Sequence, residues 1–213
     1  MTQLRITEIF CSLQGESCSV GYATVFVRLT GCPLRCYYCD TTYAYSGGDL
    51  LDIDAIVEQV QGNGVPCVTV TGGEPLAQEG AIELLNKLCD AGLTVSLETS
   101  GALDIEPVDT RVSRVVDIKT PGSGEASKNL WKNLALLTSN DQVKFVICDR
   151  TDFDWSKRIL EKYQLTESCE VLFSPSMDEM DATQLADWIV EERLPVRFQL
   201  QLHKILWGNK PGV

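Results

Sequence analysis

Histidine is nearly absent from these 213 residues, His203 standing alone, and no stretch approaches the roughly 18 consecutive apolar residues of a membrane span. Basic residues are scarce as well: 18 Lys and Arg face 30 Asp and Glu, a formal net charge of −12. That sign opposes phosphate backbones and anionic lipid surfaces, so neither nucleic acid nor a membrane is expected as a partner. The opening MTQLRITEIF has no basic segment followed by a long apolar run, so a cytoplasmic location is expected. There is no low-complexity tract, no repeat of solenoid period and no Pro/Gly/Ser linker long enough to separate domains. A single domain over 1–213 is the simplest organisation, and 44% apolar residues suffice for its core.

Cysteine, by contrast, is plentiful. The count of nine is odd, and three of them crowd into residues 32–39, which does not fit a disulfide scaffold. Such a cluster points to metal or redox chemistry. The other six (Cys11, Cys18, Cys67, Cys89, Cys148 and Cys169) lie mostly among apolar neighbours and read as small core residues.

Apolar, β-branched runs recur at 24–30, 67–71, 93–99, 114–119, 142–147, 169–174 and 196–200 and are expected as strands. Helical patterns lie at 52–60, 79–90, 153–163 and 181–192, with Asp52 and Asp181 as caps. Alternating strand and helix predicts an α/β fold of parallel strands with right-handed crossovers. A full eight-unit barrel needs about 250 residues, so a partial (β/α)6 TIM-like barrel suits this length.

Ligands in such folds gather at the carboxyl ends of the strands. After the strand ending at Thr30 comes GCPLRCYYCDT, a cluster loop over 31–42 with Cys32, Cys36 and Cys39 in C-x3-C-x2-C spacing. Three thiolates can hold three irons of a [4Fe–4S] cluster and leave the fourth open to a substrate or cofactor. A structural zinc site is the competing reading, and it would need Cys11, Cys18 or His203 to complete its shell. A second motif, TGGEP (Thr71 to Pro75), follows the strand at 67–71 and precedes a helix. It reads either as a tight strand-to-helix turn or as a glycine-lined approach to a ligand, with Glu74 able to accept from an ammonium group.

The triplet, with aromatic Tyr38 before its last cysteine, resembles the signature of the radical S-adenosylmethionine superfamily. In that superfamily the sulfonium cofactor chelates the open iron, and one electron from the cluster cleaves it to methionine and a 5′-deoxyadenosyl radical. The cofactor carries the hard chemistry and the protein aims it. TGGEP resembles the superfamily's GGE motif, which implies that Gly72, Gly73 and Glu74 meet the cofactor. Tyr38, Cys39 and Asp40 would contact it from the cluster loop.

Three further segments resemble the 7-carboxy-7-deazaguanine synthase family. SLQGES (Ser12 to Ser17) resembles its LQGEG loop, with Ser17 where the family has glycine. The likeness implies that Leu13, Gln14, Gly15 and Glu16 contact a pterin. Arg28, in FVRLTGCP, would grip the substrate carboxylate as a guanidinium fork. Thr41, in CDT, resembles the family's magnesium ligand, and Mg²⁺ takes few protein ligands while keeping several waters. Thr71 would touch substrate, and Glu98, in LETSG, is a candidate proton carrier. DIK (Asp117, Ile118 and Lys119) and FSPS (Ser174 and Ser176) align with cofactor-contacting segments. His203, in QLHKILW, is either a packed residue or, by its likeness to a QxHK segment, a substrate contact. The tail GNKPGV is expected to close over the site, with no role carried over to Val213.

The resemblance implies conversion of 6-carboxy-5,6,7,8-tetrahydropterin to 7-carboxy-7-deazaguanine on the route to queuosine or another 7-deazapurine. Hydrogen abstraction from the carboxylate-bearing carbon, ring contraction, return of the hydrogen and loss of ammonia would regenerate the cofactor. It also implies an electron donor such as flavodoxin or ferredoxin, and a homodimer. Two other readings share some of the pattern: an activating enzyme that places a glycyl radical on another protein, and a non-catalytic metal-binding module.

Overall fold

The computed structural model describes residues 2–177, 179–208, 210 and 212. In chain order it forms β1 (Gln3–Leu13), β2 (Ala23–Leu29), β3 (Asp49–Asp52), α1 (Ile53–Gly62), β4 (Cys67–Gly72), α2 (Ala81–Asp90), β5 (Thr94–Thr99) and β6 (Ser113–Asp117). These are followed by β7 (Gln142–Ile147), α3 (Arg150–Tyr163), α4 (Leu165–Ser168), β8 (Glu170–Pro175), α5 (Ala182–Glu191), β9 (Arg197–Phe198) and α6 (Leu202–Trp207). All strands join one sheet in the order β3-β1-β2-β4-β5-β6-β7-β8-β9. From β2 through β9 the neighbours run parallel. Six full parallel strands, β2 and β4 to β8, make the open, TIM-like partial barrel, and all seven expected runs contribute strands.

Period-two alternation sorts the strand residues onto two faces. Val25, Val27, Leu29, Val68, Val70, Val95, Leu97, Val143, Phe145, Val171 and Phe173 join one core with the helices' apolar stripes, such as Ile53, Ile56 and Val60 of α1 and Leu84, Leu85 and Leu88 of α2. Each such side chain contributes about 1.5–3 kcal/mol by leaving water. The opposite parity faces the inside of the barrel and is mostly polar. Arg28, Thr71, Glu98, Asp117, Lys144 and Ser174, toward the carboxyl ends, line a cavity of about 660 Å³. Thr24, Thr69, Ser96, Ser113 and Gln142, toward the amino ends, line a smaller one of about 330 Å³.

The fold departs from the sequence reading in five places. β1 and β3 were not anticipated, and β1 runs antiparallel to both β2 and β3, so the sheet is not purely parallel. Strand and helix do not alternate throughout: 100–112 carries no helix, and 118–141 holds only 3-10 turns, at Pro121–Ser123, Ala126–Lys128 and Trp131–Leu136. These stretches are rich in Pro, Gly, Ser, Asn and Asp, which favour turns. The expected strand at 196–200 shrinks to Arg197–Phe198. Asp181 caps α5 by accepting from the Gln184 N–H, but Asp52 makes no cap bond, being the last residue of β3 and paired with Gln3. Finally, of the six scattered cysteines only Cys169 is buried, while Cys11 and Cys18 are exposed, on the outer strand β1 and in the loop after it.

Candidate active site

The larger cavity opens where β2, β4, β5, β6, β7 and β8 end. The loop after β2 brings Cys32, Cys36 and Cys39 to its wall together with Tyr38, Asp40 and Thr41. The thiols are half-buried, and burial pushes Cys36 up to about 11 and Cys32 in the same direction, against the pull of the Lys119 ammonium. Metal coordination would reverse this by holding the thiolates. Among the described residues no three His, Cys, Asp or Glu side chains converge on a single ion position. Cys18, one of the ligands a zinc shell would borrow, lies instead at the smaller cavity.

Gly72 and Gly73 line the cavity, and their lack of side chains has a packing cause. A Cβ on Gly72 would strike the Leu29 backbone and one on Gly73 the Gly31 carbonyl. The Gly73 N–H donates to the Leu29 carbonyl (3.1 Å) and the Glu74 N–H to that of Gly31 (2.8 Å), so the TGGEP turn lies directly on the cluster loop. Glu74 departs from expectation. It is fully buried and does not line the cavity. Its carboxylate accepts from Leu76 N–H (3.0 Å), Ser100 N–H (2.7 Å), the Ser100 hydroxyl and the Thr99 hydroxyl (3.0 Å to each oxygen). Saturated with donors, it ties the TGGEP turn to the ETSG turn and has no reach left for a ligand's amino group.

On the far wall Asp117 at the end of β6 pairs with Lys119 (2.9 Å) and lies 3.7 Å from Lys144 of β7, which also pairs with Glu16 (2.6 Å). This alternating ladder of two acids and two lysines is largely buried. Burial opposes ionisation at every member, yet the pairing prevails: Glu16 and Asp117 stay below, and Lys119 and Lys144 above, their ordinary values. Even so, Asp117 Oδ1, Tyr38 OH and Ser174 Oγ remain buried without a partner among the described residues. Orphaned polar atoms cost about 1–3 kcal/mol each, and here they surround the cysteine loop, which fits a polar cofactor lying between them. Ser176 completes this wall, but Ile118 does not face it, since it is 1% exposed and belongs to the apolar core.

The remaining expected residues gather on the substrate side. Leu13, Gln14, Glu16, Arg28, Thr71, Glu98 and His203 all line the cavity. Glu98 accepts from the Thr71 hydroxyl (2.9 Å) and Gln14 Nε2 (3.4 Å), and burial, reinforced by the Glu16 charge, raises its carboxyl. Two adjacent carboxyls, one held ionised and one pushed toward protonation, suit proton transfer. His203 packs on Gly15, where any Cβ would collide with its ring, and burial lowers its pKa toward the neutral imidazole. Gly15 itself contributes backbone only, its carbonyl accepting from Leu202 N–H (2.9 Å). Asp40, exposed at the rim and held ionised against partial desolvation, is bonded by Lys204 (2.8 Å), Gln201 and the Thr41 hydroxyl (2.8 Å). Ser17 takes φ +65°, the conformation that favours glycine, and the Gln199 amide holds it by bonds to Ser17 N–H (2.7 Å) and C=O (2.9 Å). From the tail, Gly208, Lys210 and Gly212 line the cavity, while Asn209, Pro211 and Val213 lie outside the described residues.

Sequence reasoning missed Lys144, Gln201, Lys204 and an aromatic shelf of Phe10, Phe26 and Tyr43. Lys144 carried a usable signal: a lysine inside the apolar run QVKFVI marks an inward charge on an otherwise buried strand.

Residues 26–165 match the family described as the radical SAM superfamily. A 7-carboxy-7-deazaguanine synthase of Chlorobaculum tepidum is 43% identical over 96% of this chain and 94% of its own length. One of Koribacter versatilis is 38% identical over 96% and 97%. The crystal structure of QueE from Escherichia coli superposes with a TM-score of 0.77 at 21% identity, covering 94% of this chain and 95% of that one. The last likeness concerns the fold, whereas the near full-length identities favour the ring-contracting reading over an activating enzyme or a passive metal module. With the cysteine loop, the glycine turn and the substrate-side residues on one cavity, the chain belongs to the 7-carboxy-7-deazaguanine synthase family of radical SAM lyases.

Proposed function

We propose that the chain, working as one catalytic unit over 1–213, converts 6-carboxy-5,6,7,8-tetrahydropterin to 7-carboxy-7-deazaguanine with release of ammonia. The observation that carries this reading is the Arg28 guanidinium, facing the same cavity as Cys32, Cys36 and Cys39 beside an aromatic shelf. A flat, carboxylated heterocycle would stack there with its carboxylate in the fork.

Cys32, Cys36 and Cys39 would hold the [4Fe–4S] cluster. Tyr38, Asp40, Gly72, Gly73, Asp117, Lys119, Ser174 and Ser176 would face S-adenosylmethionine. Bound there and reduced by one electron, these groups supply hydrogen-atom abstraction and return. The protein's role is orientation and proton handling. Gln14, Glu16 and His203 bind the pterin edge, an ionised Glu16 accepting ring N–H donors. Thr71 holds Glu98, whose raised carboxyl serves the proton transfers that accompany ammonia loss. Thr41, steadied by Asp40, offers one oxygen to a magnesium ion shared with the substrate carboxylate. The tail, through Lys210 and Gly212, borders the cavity and helps exclude water.

Radical SAM enzymes draw their electron from a reductant. Here we infer a flavodoxin- or ferredoxin-type donor, a homodimer and a cytoplasmic setting, with the product entering queuosine or related 7-deazapurine synthesis. Among the described residues no helix is long and apolar enough to cross a membrane. The test is mass spectrometry of an anaerobic reaction with reconstituted protein, reductant, S-adenosylmethionine, Mg²⁺ and the carboxylated tetrahydropterin. 7-Carboxy-7-deazaguanine formed without stoichiometric loss of the cofactor is the expected result. 5′-Deoxyadenosine without that product would keep the radical machinery and reject the substrate.

A further inference from the structure

An acidic residue beside an arginine that receives a carboxylate is at first sight a liability, because it repels the incoming anion. Glu8 is such a residue. Its Oε1 accepts from Arg28 Nε at 2.7 Å and from the Tyr43 hydroxyl at 2.9 Å. The guanidinium is flanked by two rings, 5.9 Å from the Phe10 centroid and 5.8 Å from that of Tyr43. Neither Nη nitrogen has a hydrogen-bond partner among the described residues, and Arg28 lines the cavity. One edge of the fork is thus tethered and the other is open.

The backbone arranges this contact. Pairing of β1 with β2 steps from Ile6↔Leu29 to Glu8↔Arg28, two residues on β1 against one on β2, so Thr7 is the extra residue of a β-bulge. Without the bulge Thr7 would oppose Arg28 and Glu8 would lie on the other face. With it, Glu8 and Phe10 share the inner face with Arg28 and Phe26, and the two phenylalanines stack at 5.1 Å. The Thr7 hydroxyl bonds that of Thr30 (2.7 Å), anchoring the irregularity next to the cluster loop.

We propose that Glu8, braced by Tyr43, is a positioning residue that holds the Nε edge of Arg28 so that its Nη edge meets the substrate carboxylate, giving the site its preference for carboxylated over uncharged pterins. This rests on the reading of Arg28 above. A long, flexible arginine loses rotamer freedom when it binds, and a tether removes some of that cost in advance. Orientation and repulsion therefore oppose each other at Glu8, and two substitutions separate them. Glu8→Ala removes both tether and charge, whereas Glu8→Gln keeps the accepting oxygen and removes only the charge.

The experiment uses full-length, cluster-reconstituted protein and follows binding of 6-carboxypterin and of pterin by fluorescence quenching. Iron content and melting temperature are matched across variants. Wild type is expected to favour the carboxylated probe by about tenfold or more. Arg28→Ala brings the ratio near one, and Glu8→Ala brings it within about threefold of Arg28→Ala, as expected for residues that act as a pair. Glu8→Gln retains or exceeds the wild-type ratio, and Tyr43→Phe falls between. A Glu8→Ala protein that keeps its preference, or a Glu8→Gln protein that loses it, overturns the proposal. Should Glu8→Ala not fold, an unchanged ratio in Tyr43→Phe overturns it instead. Absence of any preference in wild type, or no effect of Arg28→Ala, rejects the Arg28 reading and this inference with it. Normal Arg28 behaviour with unaffected Glu8 and Tyr43 variants rejects the inference alone.

Discussion

The two ends of β6 and β7 carry similar charges in opposite conditions. At the amino ends Arg114 and Asp141, 5% and 1% exposed, form a closed system. Arg114 donates through Nε (2.8 Å), Nη2 (2.5 Å) and its backbone N–H (3.0 Å) to the Asp141 carboxylate, which also accepts from the Thr138 N–H and hydroxyl. At the carboxyl ends the side chains of Asp117, Lys144, Lys119 and Glu16 are 10–16% exposed, and among the described residues Asp117 Oδ1, Tyr38 OH and Ser174 Oγ beside them find no partner. A polar group that is complete within the protein serves the fold. One left incomplete in a cavity wall signals a ligand the fold has prepared for.

That contrast breaks if one substitution at each end has the same kind of effect. Cys36→Ala, at the carboxyl end, is expected to abolish turnover and most bound iron. The melting temperature of the cluster-free protein should move by only a few degrees, since one half-buried sulfur is lost. Asp141→Ala should do the reverse. It strands a buried guanidinium at a cost of about 3–5 kcal/mol, lowering the melting temperature by about 10 °C while turnover per folded molecule is kept. The Asp141 carboxyl, despite its burial, is held below its ordinary 3.8 by the bonds from Arg114 and Thr138. Its contribution is therefore complete above about pH 4 and fades as the pH falls toward the lowered value, so the gap between wild type and variant should narrow in acid. Calorimetry across pH checks this, and a gap that widened in acid would reverse the sign of the argument.

The saturated end was harder to read in the sequence than the hungry one. Cys32, Cys36 and Cys39 stood out because their chemistry demands a residue type at a spacing, whereas the GG turn and Arg28 stood out only through the family resemblance. The parallel strands were legible because a strand buried on one face against helices writes an apolar run. The saturation of Glu74 went unseen for the same reason as that of Arg114–Asp141. Whether a buried charge is complete depends on donors from distant segments, here Thr99 and Ser100, which no local pattern reveals. Glu8 and β1 were missed because a bulge decides which face a residue occupies, and one extra residue is invisible in a period-two pattern.

Glu74 sharpens the comparison, since it lies at the cofactor end yet is saturated. Glu74→Gln puts an NH2 where N–H and O–H donors already point, leaving a buried donor unmet at about 1–3 kcal/mol, or about 5 °C in melting temperature. Affinity of the folded variant for S-adenosylmethionine, read by equilibrium binding, should change by less than about threefold, because the carboxylate does not reach the cavity. A tenfold loss of affinity at unchanged stability would restore the family expectation for this glutamate.

The smallest effect is expected at Ser17, where the family loop has glycine. A non-glycine residue at φ +65° costs about 1–2 kcal/mol. Two local bonds offset some of it: Ser17 Oγ meets the Ser19 hydroxyl at 2.8 Å and accepts from the Ser19 N–H at 3.2 Å. Ser17→Gly relieves the strain, but it forfeits those part-buried bonds, worth about 0.5 kcal/mol each, and frees the unfolded chain by about another 0.5–1. These terms nearly cancel, so the melting temperature should shift by less than about 2 °C. Ser17→Ala keeps the strain and loses the bonds, so it should fall by about 3 °C. Turnover should be unchanged in both, because Gln199 holds this residue through backbone N–H and C=O, which every residue but proline offers. A Ser17→Gly enzyme that melted far lower, or turned over more slowly, would mean that the serine hydroxyl does more than brace its own loop, and that this stretch between the two cavities belongs with the incomplete end after all.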